Sequence, residues 1–223
     1  NLVMNPHYKM SNNIKIYEDP IEGHNYFMTA DVGYGKSQDY STFSVIDISS
    51  TPYKQVATFG DNSISPILFA HRIAEVGRHY NDSYLLVESN DIGHLTLNVL
   101  NEENEYPNLI NESVRELGLR INKRIKAIGC STLKDLLENH TLLVQDEETI
   151  SELYNFISFK SSFAAAPGKH DDYVMNLVLF SYYVTTPYFE DMTGLGQNYK
   201  DSMYESQMAE MMSFYRNTDN EDL

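Results

Sequence analysis

Three acidic positions of this chain stand at the ends of apolar runs. Asp31 follows YFMTA, Glu88 follows SYLLV, and Asp171-Asp172 precede YVMNLVLFSYYV. Carboxylates are the hard oxygen ligands that Mg2+ and Mn2+ accept, and hydrolysis of a phosphodiester is helped by two such ions about 3.5–4 Å apart. A site of that kind needs three or four carboxylates converging from different elements. Asp39 lies across a predicted hairpin from Asp31 and is a fourth oxygen donor or a residue that orients a water. Each acid also has a plain structural use. Asp171 or Asp172 would serve as a helix N-cap, Glu88 would cap the helix after it, and Asp31 would sit in a turn.

The stretch Met28 to Ile48, MTADVGYGKSQDYSTFSVIDI, offers a competing chemistry. Gly35-Lys36-Ser37, with Ala30 where a glycine would stand, is close to a phosphate-cradling P-loop. That loop works by feeding directly into a helix whose first amides hold the phosphates. Here the residues after Ser37 alternate apolar and polar with β-branched members, which is a strand pattern. Gly33 and Gly35 are read as the turn of a β-hairpin, and no nucleotide is expected on this chain. Lys36, Lys169 and His170 lie near the acids in sequence, as phosphate contacts, proton-transfer groups or solvated loop residues.

The surrounding elements decide whether the acids can meet. Tyr26–Val32, Thr42–Ile48 and Lys54–Phe59 read as three strands of an antiparallel meander. Ser65-Pro66 opens a helix running to about Tyr80, with serine as N-cap and proline at its first position. Ser83–Val87 is a short strand apolar on both faces. Further helices are predicted over Asp91–Leu100, Ser131–Glu138, Asp146 to about Phe156 and Asp171–Val184. Strands are predicted at Tyr106–Ile110 and Thr141–Val144, and a hairpin at Phe156–Ala165. A meander followed by alternating helices and strands is an α/β, RNase H-like mixed sheet flanked by helices on both faces. In that topology the first and fourth strands are neighbours and the last helix packs beside them, so Asp31, Glu88 and Asp172 share one end of the sheet. Residues 1–23 are expected as a linker or strand-like arm from a missing upstream domain, 24–186 as the nuclease domain, and 187–223 as a helical or disordered tail. In that tail Met203, Met208, Met211 and Met212 with Phe214 and Tyr215 would pack on the domain or dock on a partner.

The 223 residues include 42% hydrophobic and 22% charged, ordinary for a globular domain. No run approaches the roughly 18 apolar residues of a membrane span, and no signal peptide opens the chain. It does not begin with Met, which is expected of a piece of a longer protein. One cysteine, Cys130, leaves no internal disulfide and fits a reducing compartment. The formal net charge of −16 argues against tight binding to nucleic acid. The charge is uneven, however, and Lys123, Arg124, Lys126 and Lys134 form a basic stripe suited to phosphate backbones, or a solvated helix face balancing nearby acids.

Asp31 with the following GYGKSQDYS, LLVESN at Glu88, KRIKAIGCSTLKDLLE and HDDYVMNLVL together resemble the C-terminal nuclease domain of the large terminase of tailed, T-even-like phages, over about Phe27 to Tyr183. The resemblance implies a metal-dependent endodeoxyribonuclease that cuts concatemeric viral DNA during genome packaging. It places the metal-holding acids on Asp31, Glu88 and Asp172, with Asp171 adjacent, and calls for Mg2+ or Mn2+, as two ions. Its implied partners are double-stranded DNA, an upstream ATPase domain of the same protein, the portal and the small terminase subunit, with no membrane. Its implied location is the host cytoplasm, transiently on the prohead. Two other readings stay open at this point: a related RNase H-like resolvase or nuclease, and a non-catalytic module that binds DNA or the portal.

Overall fold

Alternating apolar residues build a seven-stranded mixed sheet whose central strands are covered on both faces. The computed structural model describes residues 5–11, 13–33, 40–113, 116–159, 162–165 and 170–193. In chain order these form β1 (Tyr8–Ser11), β2 (Ile14–Ile16), β3 (Tyr26–Asp31), β4 (Ser41–Asp47), β5 (Tyr53–Asp61), α1 (Pro66–His79), β6 (Tyr84–Val87) and α2 (Gly93–Asn98). A π-helical turn (Val99–Glu103), β7 (Asn111–Ser113), β8 (Glu116–Leu117), α3 (Lys123–Glu138), β9 (Leu142–Leu143) and α4 (Glu147–Asn155) follow. The hairpin β10 (Phe156–Phe159) and β11 (Ser162–Ala165) leads to α5 (Asp172–Val184). A separate unit begins at Thr186, and its described part holds the short helix α6 (Pro187–Thr193). Asp39, Lys36, Lys169 and the methionine-rich tail lie outside the described residues.

The sheet runs β1-β2-β5-β4-β3-β6, with β9 joining β5. β3, β4 and β5 form the antiparallel meander, and β6 returns parallel to β3 after the crossover through α1. β3 alternates between the two covering layers. Met28 and Ala30 belong to the core shared with Phe69, Ala70 and Ile73 of α1, while Phe27 meets Phe180 and Tyr183 of α5 at ring separations of 5.6 and 5.1 Å. On the α1 side Phe43, Phe59 and Phe69 stack, with Phe43 and Phe59 5.1 Å apart. α5 is apolar nearly all round because it is sandwiched between the sheet and α3. A Cβ on Gly129 of α3 would stand 2.5 Å from the Val178 carbonyl oxygen of α5, so these helices meet at backbone distance.

Two predicted elements differ from expectation. α3 begins at Lys123, eight residues earlier than predicted. Asn122 caps it by accepting from the amides of Arg124 and Ile125 at 2.9 and 3.0 Å, and its core-facing positions include the inconspicuous Gly129 and Cys130. Tyr106–Ile110 is not a strand, and only Leu109 bridges to Leu85. Tyr106 instead tucks under α1 and donates its hydroxyl hydrogen to the Ser83 carbonyl at 2.8 Å. Within residues 1–23, Ile14 and Ile16 are fully buried where β2 pairs with β5.

The edge of the sheet is tied to α4 by Asp146, which is fully buried. Its Oδ2 caps α4, accepting from the Thr149 amide and hydroxyl at 2.8 Å each. Its Oδ1 accepts from Lys15 at 2.9 Å, Tyr17 at 2.6 Å and Thr58 at 3.1 Å, so β2, β5 and α4 converge on one carboxylate. Burial pushes its pKa up, but the Tyr17 hydroxyl, the Lys15 ammonium and the Thr149 amide outweigh it and hold the pKa below the ordinary carboxylate value. A depressed folded pKa stabilises above the unfolded value, and that stability is lost as pH falls through the folded one. Asp146→Ala is expected to lower unfolding stability by at least about 1–3 kcal/mol near neutral pH, because it leaves the Tyr17, Thr58 and Thr149 donors without their acceptor and Lys15 with Glu148 alone. In urea titrations over a pH series, the gap between parent and variant should narrow below about pH 4.

Candidate active site

β3 and β6 are neighbouring parallel strands, and their C-terminal ends carry Asp31 and Glu88. Ala30 pairs with Val87, and the Glu88 amide donates to the Ala30 carbonyl at 2.9 Å, which sets Glu88 beside Asp31. The crevice beyond strand C-termini is where open α/β sheets receive ligands. Leu119 flanks Glu88 on its other side, accepting from the Ser89 amide at 2.9 Å. Glu88 does not cap α2, since Asn90 accepts from the Gly93 amide at 2.6 Å. Gly93 itself must be glycine, because a Cβ there would lie 2.1 Å from the Glu88 carbonyl oxygen.

The start of α5 reaches the same place through Thr42, the cross-strand partner of Asp31 on β4. Thr42 donates its hydroxyl hydrogen to the Asp172 carbonyl at 2.9 Å. Asn176, fully buried one turn into α5, donates to the Thr42 hydroxyl at 2.7 Å and to the Asp172 carbonyl at 3.2 Å. Asp171 occupies the N-cap of α5 yet makes no side-chain cap hydrogen bond. The amides of Tyr173 and Val174 donate instead to Glu152 of α4, at 2.8 and 3.0 Å.

Burial pushes the Asp31 carboxyl well above the ordinary range, and the Glu88 charge, a hydrogen bond with Glu88, and the Asp172 and Asp171 charges push the same way. Glu88 is raised by burial, against a lowering from the hydrogen bond to Asp31 and the Lys126 charge. Each carboxylate therefore makes the other harder to ionise, as two like charges forced into one site do. Glu152 is raised to about 7 by burial and by the Asp172 and Asp171 charges, against the two amides it accepts from. Lys126 of α3 brings positive charge inside this cluster, its ammonium 3.9 Å from Asp171. His170 lies 3.8 Å from Asp172.

The sequence-predicted acids Asp31, Glu88, Asp171 and Asp172 thus converge electrostatically, while Asp39 lies outside the described residues. Among the described residues, no three His, Cys, Asp or Glu side chains form a ready-made ion cage. The donor set nonetheless fits a divalent cation: hard oxygens, crowded so that a cation would offset their mutual repulsion. The basic residues separate into different surroundings. Lys123 and Arg124 are exposed on the first turn of α3, Lys134 pairs with Glu138 at 3.8 Å, and Lys126 belongs with the acids. Glu152, Thr42 and Asn176 were not singled out from sequence. Only Asn176 carried a signal, as an amide inside an apolar helix four residues after Asp172. In the absence of divalent ions, Asp31→Asn is expected to raise the thermal midpoint, by about 2–4 °C for each kcal/mol of repulsion relieved. Added Mg2+ or Mn2+ should raise the midpoint of the parent and leave that of the variant nearly unchanged in a thermal-shift titration.

The Terminase RNaseH-like domain family matches residues 28–180, more than half of the chain. The large terminase nuclease of thermophilic phage G20c with bound magnesium is similar at 26% identity and a TM-score of 0.64, over 81% of this chain and 92% of that one. The same nuclease with bound cobalt is similar at 25% identity and a TM-score of 0.65, over 81% and 92% of the two chains. The large terminase nuclease domain of Thermus phage P74-26 is similar at 26% identity and a TM-score of 0.63, over 82% and 90%. These likenesses speak for the family and not for the T-even-like group within it. The sheet order and the match over residues 28–180 agree: the chain belongs to the Terminase RNaseH-like domain family.

Proposed function

We propose that this chain is a divalent-metal-dependent endonuclease that hydrolyses double-stranded DNA during viral genome packaging. The observation that carries the reading is the half-buried Asp31–Glu88 carboxylate pair, held at adjacent strand ends within electrostatic reach of the acids that open α5. Asp31, Glu88 and Asp172 would hold the metal, with Asp171 beside them and Asp39 as a further oxygen donor. Bound Mg2+ or Mn2+, as two ions, supplies the positive charge that activates a water and offsets charge on the leaving 3′-oxygen. In the hydrolysis the water oxygen bonds to phosphorus as the P–O3′ bond breaks, leaving a 5′-phosphate and a 3′-hydroxyl. Lys126 moderates the negative charge at Asp171 and Glu88, so that a phosphodiester can approach the acids. Lys123 and Arg124, exposed at the start of the same helix, suit the DNA backbone without reading bases. With a net charge of −16, the chain alone binds DNA weakly. An ATPase domain of the same protein, the portal and the small subunit would bring it to DNA at the prohead, in the host cytoplasm.

Plasmid cleavage with Mg2+ or Mn2+ tests the reading. The parent is expected to cut, and Asp31→Asn, Glu88→Gln and Asp172→Asn are each expected to lose at least about 100-fold in rate. An inert parent, or variants that cut as well as it does, would overturn the assignment. For the DNA contacts, the double variant Lys123→Ala, Arg124→Ala should flatten the plot of log affinity against log salt. Two lost phosphate contacts reduce the slope by about 2, measured by fluorescence anisotropy on unrelated duplexes.

A further inference from the structure

We infer that Glu152 is a positioning residue of this site: it takes over the capping of α5 so that Asp171 and Asp172 can turn their carboxylates to the metal. The inference rests on the nuclease reading proposed above. An aspartate at a helix N-cap ordinarily accepts from the amide of the second or third helical residue, which fixes its side chain against its own backbone. In α5 those residues are Tyr173 and Val174, and both amides donate to a single oxygen of Glu152, at 2.8 and 3.0 Å. Asp171, in the N-cap position, makes no cap bond.

Two helix ends are linked in this way. Asp146 caps α4 in the ordinary manner through Thr149, and Glu152, farther along α4, caps α5 from outside. Thr42 and Asn176 hold the Asp172 carbonyl from the sheet side. The backbone at the start of α5 is thus fixed by α4 on one side and β4 on the other, with no side-chain cap bond from Asp171. This is the division of labour of metal sites, in which outer groups orient the ligands and their loss weakens metal affinity about 10–100-fold.

The test compares Glu152→Ala, Glu152→Gln and Asp172→Asn with the parent. Mn2+ affinity is measured by calorimetry, and amide hydrogen exchange at Tyr173 and Val174 is measured without ions. Glu152→Ala is expected to weaken Mn2+ binding about tenfold and to speed exchange at both amides. Glu152→Gln keeps an oxygen acceptor and is expected to stay within about threefold of the parent in both measurements. If Asp172→Asn weakens Mn2+ binding but Glu152→Ala does not, the positioning role is overturned while the nuclease reading stands. The role also fails if Glu152→Gln loses as much as Glu152→Ala, because capping would then not be what matters. If neither Asp172→Asn nor Glu152→Ala alters Mn2+ binding, the metal site itself is wrong and the role falls with it.

Discussion

Two like-charged side chains held together at the ends of adjacent parallel strands set the terms for the rest of this molecule. Asp31 and Glu88 repel when both are ionised, and the protein around them takes away part of the water that would screen the repulsion. Nothing local favours that arrangement. It persists because the β3–β6 pairing is fixed by a register running from Phe27↔Tyr84 to Ala30↔Val87 and by the packing of both sheet faces. The energy of the core is thereby used to hold a charge arrangement that would disperse in a softer scaffold. Proteins concentrate such strain where a ligand is meant to relieve it.

The covering layers have different tasks. On one face, α1 and the Phe43, Phe59 and Phe69 stack contribute mainly apolar burial. On the other, α5 is buried nearly all round and carries acids only at its N-terminus. Its close approach to α3 at Gly129 aligns the two helices, so that the first turns of α3 bring Lys126 to the acids. One helix thus presents carboxylates and its neighbour a compensating ammonium, both anchored by an apolar interface rather than by each other. Asp146 extends the same logic outward, drawing β2, β5 and α4 together so that Glu152 can reach α5.

Much of this was legible in the residues. The near-continuous apolar run from Tyr26 to Ala30 and the β-branched alternation after Thr42 mark strands, and both are buried on the two faces of the sheet. Ser65-Pro66 marks the start of α1, and the apolar run after Asp172 marks a helix with no exposed face. Where signals were weak, the boundaries moved. Gly129 and Cys130 hid the first half of α3, because the small residues that let two helices touch do not look like a hydrophobic stripe. Tyr106 suggested a strand through β-propensity, but its burial comes from filling the space beside Gly77 and bonding the Ser83 carbonyl.

By itself the sequence determined the β3–β4–β5 meander, α1, β6, α5 and the acids at three element ends, since periodicity and caps are local properties written in consecutive residues. It could not determine which acid caps the helix that follows it. Asp171 and Asp172 have the composition of a cap, and only the arrival of Glu152 from another helix relieves them of it. Nor could it assign Lys126 to the acids rather than to the basic stripe, because the rotation of α3 is set by its contact with α5. These outcomes depend on distances between segments far apart in the chain, and such distances exist only once the sheet and its two helical layers have packed.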